Sequence, residues 1–205
     1  TYDASWAHAG NTPFRLYKQN QHEGGISSPL IAHWPKGLKT KPGGITRQPG
    51  HLIDFMATFI DLAGAKYPKE VGSRKIDPLK GKSLLPIFQG KERKGHETLY
   101  FHFGTDRALR QGSWKLVSAK LGRWELFNIE DDRTETNDLS KKHPARVAEM
   151  AKEWFRLAKD VDRLKGRGLN PVKSSLSKLN FRKDTSSGRV QAQPKKLRPG
   201  KKKKD

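Results

Sequence analysis

Apolar residues are distributed very unevenly along this chain of 205 residues, and their distribution decides how much of it can fold. All five tryptophans and nearly all aliphatic and aromatic clusters precede residue 160, whereas Lys, Arg, Ser, Gly and Pro dominate from Leu164 onward. Ordering each backbone residue costs about 1–2 kcal/mol, and isolated apolar side chains bury too little surface to offset that cost. The sequence therefore predicts a folded part up to about residue 160 and a disordered basic tail over residues 164–205.

Much of the formal net charge of +21 lies in this tail, which ends with four consecutive lysines at residues 201–204. Such tails bind polyanions weakly and in a salt-dependent way, whichever polyanion is offered. A solvated tail without a partner is the simplest interpretation. The alternatives are sulfated or acidic glycans, anionic surfaces and nucleic acid, of which we expect nucleic acid least.

The chain contains no cysteine, which excludes disulfides and thiolate metal ligands within it. No apolar run approaches the roughly 18 residues of a membrane span. The first residue is Thr1 rather than Met, which indicates a fragment. The lack of a signal-peptide pattern therefore carries no information on export.

In the first half of the chain the patterns predict one buried strand and one long helix. Residues 1–13 show no periodicity and are expected to form a loop, whereas the short apolar run at residues 29–35 is typical of a buried strand. Residues 83–88 indicate a short helical turn. Over residues 50–64 the apolar positions share one helical face: Leu52, Phe55, Met56, Phe59, Ile60 and Ala63. Such a helix must lie against a larger apolar body.

The second half predicts a small antiparallel sheet covered by a helix. The strand candidates are residues 98–103, 106–117 and 124–128, with Gly112 as a bulge or tight turn and an acidic turn at residues 130–132. A helix is predicted over residues 144–161, with one apolar face: Val147, Met150, Ala151, Trp154, Phe155 and Ala158. Three or four strands with one face covered by this helix form a small α+β layer.

One specific stretch has Lys18, three further residues, then His22-Glu23-Gly24-Gly25, followed by a proline-led apolar segment. Further stretches with distinct patterns lie at residues 51–64, 81–86, 110–116, 124–128 and 135–139. Taken in order, these segments resemble the C-terminal third of the sulfatase family, within the alkaline-phosphatase-like superfamily. The resemblance covers residues 10 to 160.

The resemblance implies an α/β fold class, with an α+β arrangement in this fragment. Residues 1–90 would be the C-terminal part of the catalytic domain, in which a mixed sheet lies between helices and the active site lies at its strand ends. Residues 91–163 would form a C-terminal subdomain, an antiparallel sheet with a terminal helix. Residues 164–205 would be the disordered tail.

The resemblance also implies the chemistry of sulfate ester hydrolysis. In this family a formylglycine, made from Cys or Ser in a Cys/Ser-x-Pro-x-Arg motif, attacks the sulfur, and a calcium or magnesium ion supports the nucleophile and the sulfate oxygens. Neither that motif nor the paired acidic ligands are present here, so we expect them upstream and expect this fragment alone to bind no metal and turn over no substrate. The implied substrates are sulfated small molecules or polysaccharides, and the implied location of the parent protein is periplasmic or secreted.

Lys18 is the residue expected to be catalytic and to bind the sulfate. Its position matches the family lysine that contacts the sulfate group and the leaving oxygen, and a fixed ammonium stabilises the charge that develops there. The alternative is an ordinary surface lysine. His22 is a second candidate for substrate binding, with simple packing as its alternative. Glu23, Gly24 and Gly25 are expected to be structural, with the carboxylate accepting from backbone amides and the glycines allowing a turn with positive φ.

Other polar residues are interpreted as structural. His8, Asn11 and Arg15 could line the substrate entrance but are expected to be ordinary loop residues. Asp54 and Asp61 are two helical turns, roughly 10 Å, apart, which is too far to share one ion without further ligands. Solvation or capping of the helix is the preferred role for both.

Two other functions stay open. One is a phosphate or phosphonate ester hydrolase of the same superfamily, because the lysine favours sulfate without deciding the matter. The other is a non-enzymatic module that binds polyanions through its basic tail.

Overall fold

A computed structural model describes residues 3–162 of the chain, and the tail predicted to be disordered lies outside the described residues. The helices are α1 (Ala4–Ala9), α2 (Glu23–Ile26), α3 (Asp54–Leu62), α4 (Leu85–Phe88) and α5 (Pro144–Val161). The strands are β1 (Glu70–Val71), β2 (Arg74–Lys75), β3 (Thr98–Phe103), β4 (Asp106–Gln111), β5 (Trp114–Ser118) and β6 (Glu125–Asn128). Strands β1 and β2 form a small exposed hairpin.

Strands β3 to β6 form an antiparallel meander in which each strand pairs with the next one along the chain. The register sets Tyr100 opposite Leu109 and Leu109 opposite Leu116. Gly112 has a φ of 58° in the tight connection between β4 and β5, a backbone conformation that glycine adopts without steric cost. The predicted strand over residues 106–117 is therefore two strands, and the predicted antiparallel sheet is confirmed.

One face of the sheet is covered by α5. All six residues of its predicted apolar face are buried. Trp154 lies at the centre with 0% of its surface exposed, and its indole N–H donates to the backbone oxygen of Phe101 at 3.1 Å. Its ring lies 5.3 Å from that of Tyr100. The prediction of a helix packed on the sheet is confirmed.

The opposite face of the sheet is covered as well, by residues from the first half of the chain. Its buried apolar cluster contains Ala108, Val117, Phe127 and Ile129, with Phe101 packed against it. The His22 ring lies 6.5 Å from the Phe127 ring, and the His51 ring lies 5.9 Å from the Phe101 ring. The sequence predicted one covered face, and the second one joins the two halves of the chain.

Helix α3 is shorter than predicted and buries its other side. Its buried residues are Asp54, Ala57 and Thr58. Most of the apolar stripe that the sequence predicted to pack is exposed, including Leu52, Met56 and Phe59. No described segment covers these side chains, so the apolar body expected to lie against them is not among residues 3–162.

Two predictions for the N-terminal part are wrong. Residues 4–9 form helix α1 rather than a loop, because the Asp3 carboxylate accepts from the amides of Ser5 and Trp6 and caps the first turn. Residues 29–35 form no strand and are exposed, with Ile31 at 89%. A strand needs a neighbour for its backbone hydrogen bonds, and no described segment pairs with this one.

The helical turn predicted near residue 85 is confirmed as α4, and Leu84 before it is buried. Within residues 3–162, none of the helices combines the length and the apolar character needed to cross a membrane.

Candidate active site

The Lys18 loop, residues 15–20, presents the predicted catalytic side chain to solvent. Leu16 and Gln19 have φ values of 64° and 81°, in the left-handed region that residues other than glycine rarely adopt. Lys18 lies between them, is exposed, and forms no hydrogen bond or ion pair with another residue of the described part. The loop therefore offers a free ammonium group on an unusual backbone.

Helix α2 packs directly against the backbone of this loop. A Cβ atom on Gly24 would lie 2.2 Å from the backbone oxygen of Leu16, and one on Gly25 would lie 2.0 Å from that of Asn20. The Gly24 amide donates to the Arg15 oxygen at 2.9 Å. Neither glycine has a positive φ, so the prediction that they permit such a turn is wrong. They are needed because the loop backbone lies against the helix with no room for a side chain.

Arg15 ties the start of the loop to the sheet. Its guanidinium donates to the Glu125 carboxylate at 3.1 Å and to the backbone oxygen of Glu135 at 3.3 Å. His22 Nε2 lies 3.2 Å from the same carboxylate oxygen of Glu125. The hydrogen bond with His22, with the charges of Arg15 and Arg123, lowers the pKa of Glu125 even though burial opposes this. Glu125 is therefore an anionic anchor for both Arg15 and His22.

A buried ion cluster of Lys115, Glu23 and Glu135 lies beneath α2. The Lys115 side chain on β5 is 0% exposed and donates to Glu23 Oε1 at 2.9 Å, with Glu135 Oε1 also 2.9 Å away. Glu135 in turn accepts the Glu23 amide N–H at 2.7 Å. Burial alone would raise the pKa of Glu23, but Lys115 and Arg133 lower it.

The prediction for Glu23 is therefore wrong in its contacts. Its carboxylate was expected to accept from backbone amides, and it pairs with Lys115 instead. The backbone amide of Glu23 itself donates a hydrogen bond, and the acceptor is the carboxylate of Glu135 in the loop after β6. Neither Lys115 nor Glu135 was predicted from the sequence to be a functional or structural partner of Glu23. One sequence feature points to Lys115: strand alternation places it on the same face as Val117, an inward position where a lysine requires a partner.

His22 lies in the interior, with 1% of its side chain exposed. It packs between Glu125 and Phe127 and, in this arrangement, faces no solvent. His22 thus occupies a packed position in the interior, which was the alternative to substrate binding. Contact between His22 and a substrate stays a prediction.

A groove of about 580 Å³ lies between the N-terminal segment and the loop after β6. His8 and Arg15, which the sequence named as possible lining residues, lie on it together with Phe14, Arg123 and others. Asn11 does not, because its amide donates to the Ala7 oxygen at 2.6 Å within the first turns of the chain. Lys18 is not among the residues that line this groove.

Asp54 is fully buried rather than solvated, which corrects the role expected for it. Its carboxylate accepts from the amides of Lys82 and His51, both at 2.9 Å, from Arg93 at 2.9 Å and from His96 at 2.6 Å. Burial alone would raise its pKa, but these donors lower it to about 2. The carboxylate therefore joins α3 to the segment before β3.

The described residues contain no candidate metal centre. Within residues 3–162 no three or more His, Asp or Glu side chains come together in a way that could hold an ion. Asp61 is exposed, and the acidic stretch after β6 is the expected turn, in which Asp132 accepts from the amides of Thr136 and Asn137. These residues do not fit the calcium or magnesium ion that the resemblance implies.

Similarity to known proteins extends over most of this chain. A family model described as the C-terminal part of N-sulphoglucosamine sulphohydrolase matches residues 14–165. An uncharacterized sulfatase of Schizosaccharomyces pombe is 31% identical over 167 residues, which cover 75% of this chain and 29% of that protein. Mouse steryl-sulfatase is 36% identical over 117 residues, which cover 57% of this chain and 17% of that protein.

The crystal structure of Ps i-CgsB in complex with k-i-k-neocarrahexaose has a similar fold. Its TM-score is 0.61 at 28% sequence identity, over 80% of this chain and 36% of that one. The chain thus spans little more than a third of this structure and less than a third of the two relatives above.

Proposed function

Because the chain belongs to the sulfatase family, we propose that the protein containing it hydrolyses sulfate esters and that Lys18 binds the sulfate group during the reaction. The proposal is supported by the family match over residues 14–165. The observation that carries it at the level of residues is the free, exposed Lys18 side chain on a loop whose backbone is fixed from behind.

The role proposed for Lys18 follows from where charge moves in the reaction. Cleavage of a sulfate ester places negative charge on the equatorial oxygens and on the departing oxygen. A charge-assisted hydrogen bond to such an oxygen contributes about 1.5–3 kcal/mol. Donors contribute most when they are already in place, because no reorganisation is then needed as the charge develops. The fixed backbone of the Lys18 loop holds the Cα atom from which this ammonium is proposed to reach the sulfate.

The nucleophile and the ion are proposed to be held by residues outside this chain. The chain has no cysteine and no Ser-x-Pro-x-Arg sequence, and residues 3–162 hold no ligand set for an ion. We therefore propose a formylglycine and a calcium or magnesium ion upstream, and no turnover by this chain alone. A periplasmic or secreted location is proposed on the family resemblance.

The substrate is proposed to be a sulfated carbohydrate. The support is the structural relative solved with k-i-k-neocarrahexaose, while the steryl-sulfatase relative keeps sulfated small molecules as the second candidate. The basic tail, which lies outside the described residues, is proposed to bind polyanions such as the sulfated polymer itself. Its charge is the only support for this last role.

The test is steady-state kinetics on the full-length protein with p-nitrophenyl sulfate and p-nitrophenyl phosphate. Lys18→Ala is expected to lower kcat for the sulfate ester by about 10- to 100-fold, the loss of one charge-assisted hydrogen bond. Lys69→Ala, which removes the same charge from an exposed loop, is the matched control and is expected to leave kcat unchanged.

Three results would contradict the proposal. A Lys18→Ala variant with the kcat of the wild type would remove Lys18 from the mechanism. Faster turnover of the phosphate ester would favour the phosphoesterase alternative. No turnover of either ester would favour the non-enzymatic module.

A further inference from the structure

We propose that Lys115 is a positioning residue for sulfate ester hydrolysis, acting through the Lys18 loop. The inference rests on the proposed function, because it concerns the same lysine. Its physical basis is a path of direct contacts from a buried ammonium in the sheet to the backbone that carries Lys18.

The first step of this path is the buried ion cluster. Lys115 Nζ lies 2.9 Å from a carboxylate oxygen of Glu23 and 2.9 Å from one of Glu135. The second oxygen of Glu135 accepts the Glu23 amide at 2.7 Å. Both the side chain and the backbone of Glu23 are therefore fixed by residues that follow it by 92 and 112 positions. This fixes the start of α2 relative to the sheet.

The second step leads from Glu23 to the loop. The two residues that follow Glu23 are the glycines whose Cα atoms lie against the loop backbone, at the oxygens of Leu16 and Asn20. A displacement of α2 by a few tenths of an ångström must therefore move these oxygens or open a gap. Leu16 and Asn20 lie on either side of Lys18, so the position of the backbone that carries its side chain depends on the position of Glu23.

The backbone of the loop makes this support necessary. Two residues with left-handed φ values, Leu16 and Gln19, flank Lys18. Such conformations cost about 1–3 kcal/mol each and persist only where the surroundings over-determine them. Contacts with α2 and the bond from Arg15 to the sheet supply those surroundings.

Stability alone does not account for the cluster. Burying charges removes their hydration, and a buried ion pair is often no more stabilising than apolar residues of the same volume. The hydrogen bond from the Lys115 ammonium to Glu23 differs from apolar packing in fixing direction as well as distance, and the ion pair with Glu135 adds a second attraction. A second buried cation, Arg107, provides the contrast: it packs over Trp124 on the face covered by α5 and donates a hydrogen bond to Ser118.

The experiment is a double-mutant cycle on the full-length protein, with kcat for p-nitrophenyl sulfate normalised to the folded fraction. Lys115→Met is expected to lower kcat about tenfold in the wild type and to have no further effect in a Lys18→Ala background. Arg107→Met, a matched loss of a buried cation from the other face, is expected to lower stability with kcat unchanged. If Lys115→Met does not fold, Lys115→Met with Glu135→Gln keeps the net charge and an acceptor for the Glu23 amide, and the same pattern is expected.

Two outcomes would overturn the inference while leaving the proposed function intact. One is a Lys115→Met effect of equal size with and without Lys18. The other is an equal loss of kcat in Arg107→Met, which would make the effect one of general stability. The single Lys18→Ala variant reports separately on the proposed function: with wild-type kcat there, both proposals fall.

Discussion

We predict that Asp54→Asn destabilises the fold, because four donors meet on this one fully buried carboxylate. Asp54→Asn keeps the size of the side chain but replaces one acceptor oxygen by an NH₂ group. The oxygens now accept from two backbone amides, from Arg93 and from His96, each within 2.9 Å. An asparagine can satisfy only part of these donors and turns its own donor toward the rest. The contact between α3 and the segment before β3 should weaken.

The magnitude follows from the cost of breaking a buried ion pair, about 3–5 kcal/mol. Because the amide oxygen of asparagine still accepts, we expect a loss of about 3 kcal/mol near neutral pH, at the lower end. The pH dependence is a second, independent expectation. The folded-state pKa of Asp54 is about 2, below its ordinary value of 3.8. The stability from the charged form is therefore present above pH 3.8 and is lost as the pH falls toward 2, by about 2 kcal/mol.

The measurement is urea unfolding of the chain, followed by far-UV circular dichroism, at a series of pH values from 7 down to 2. Asp54→Asn should be less stable than the wild type at pH 7, and the difference should shrink by about 2 kcal/mol toward pH 2, because only the wild type can lose this charge. Asp61→Asn, an exposed position on the same helix, is the matched control and should stay within about 0.5 kcal/mol throughout. A difference between Asp54→Asn and wild type that is small at pH 7, or constant with pH, would refute the reasoning.

Two further predictions concern the sheet and the tail. Trp154→Phe should destabilise the chain by about 1–3 kcal/mol in urea unfolding, because it removes the N–H that bonds the Phe101 oxygen and leaves part of the ring volume empty; a change below about 0.3 kcal/mol would contradict this. Deletion of residues 165–205 should weaken retention on heparin and flatten its dependence on salt, because the lysine-rich tail carries much of the positive charge; unchanged retention would show that the polyanion site lies elsewhere.

The part of the fold that the sequence predicted well is the part built from local pattern. Every residue assigned to the apolar face of α5 is buried, since a helix that covers a sheet shows its contact face at a spacing of three and four residues. The tight turn at Gly112 was also predicted from local sequence, because glycine readily adopts a positive φ, and its φ in the structure is 58°. Neither inference needed a partner far away in the sequence.

Burial of residues 29–35 and of the α3 stripe could not be judged from pattern alone. Both segments are apolar, as the sequence indicated, and both are exposed among the residues that the structure describes. Periodicity states which side chains prefer an apolar neighbour, but it does not state where that neighbour is. The family relatives are about three times as long as the match or longer, which agrees with the expectation that other segments cover these surfaces.

Buried charges were the main failure of prediction from sequence. A lysine or an aspartate is expected at the surface, because most are found there and an unpaired buried charge is costly. Lys115 and Asp54 are fully buried because each has partners supplied by distant segments, with Glu23 lying 92 positions before Lys115. A single sequence does not show which residues far apart in the chain come together in the fold.

The same reasoning explains why Glu23, Gly24 and Gly25 had to be recognised as a motif rather than derived. Together they meet two physical needs: Glu23 supplies a carboxylate for the buried ammonium of Lys115, and the two glycines occupy positions without room for a Cβ. Neither of these needs is visible in the composition of the segment, because both arise where α2 meets the sheet on one side and the Lys18 loop on the other. The Glu23 carboxylate and the two glycines therefore act together. The carboxylate fixes α2 relative to the sheet, and the glycines fix the Lys18 loop relative to α2.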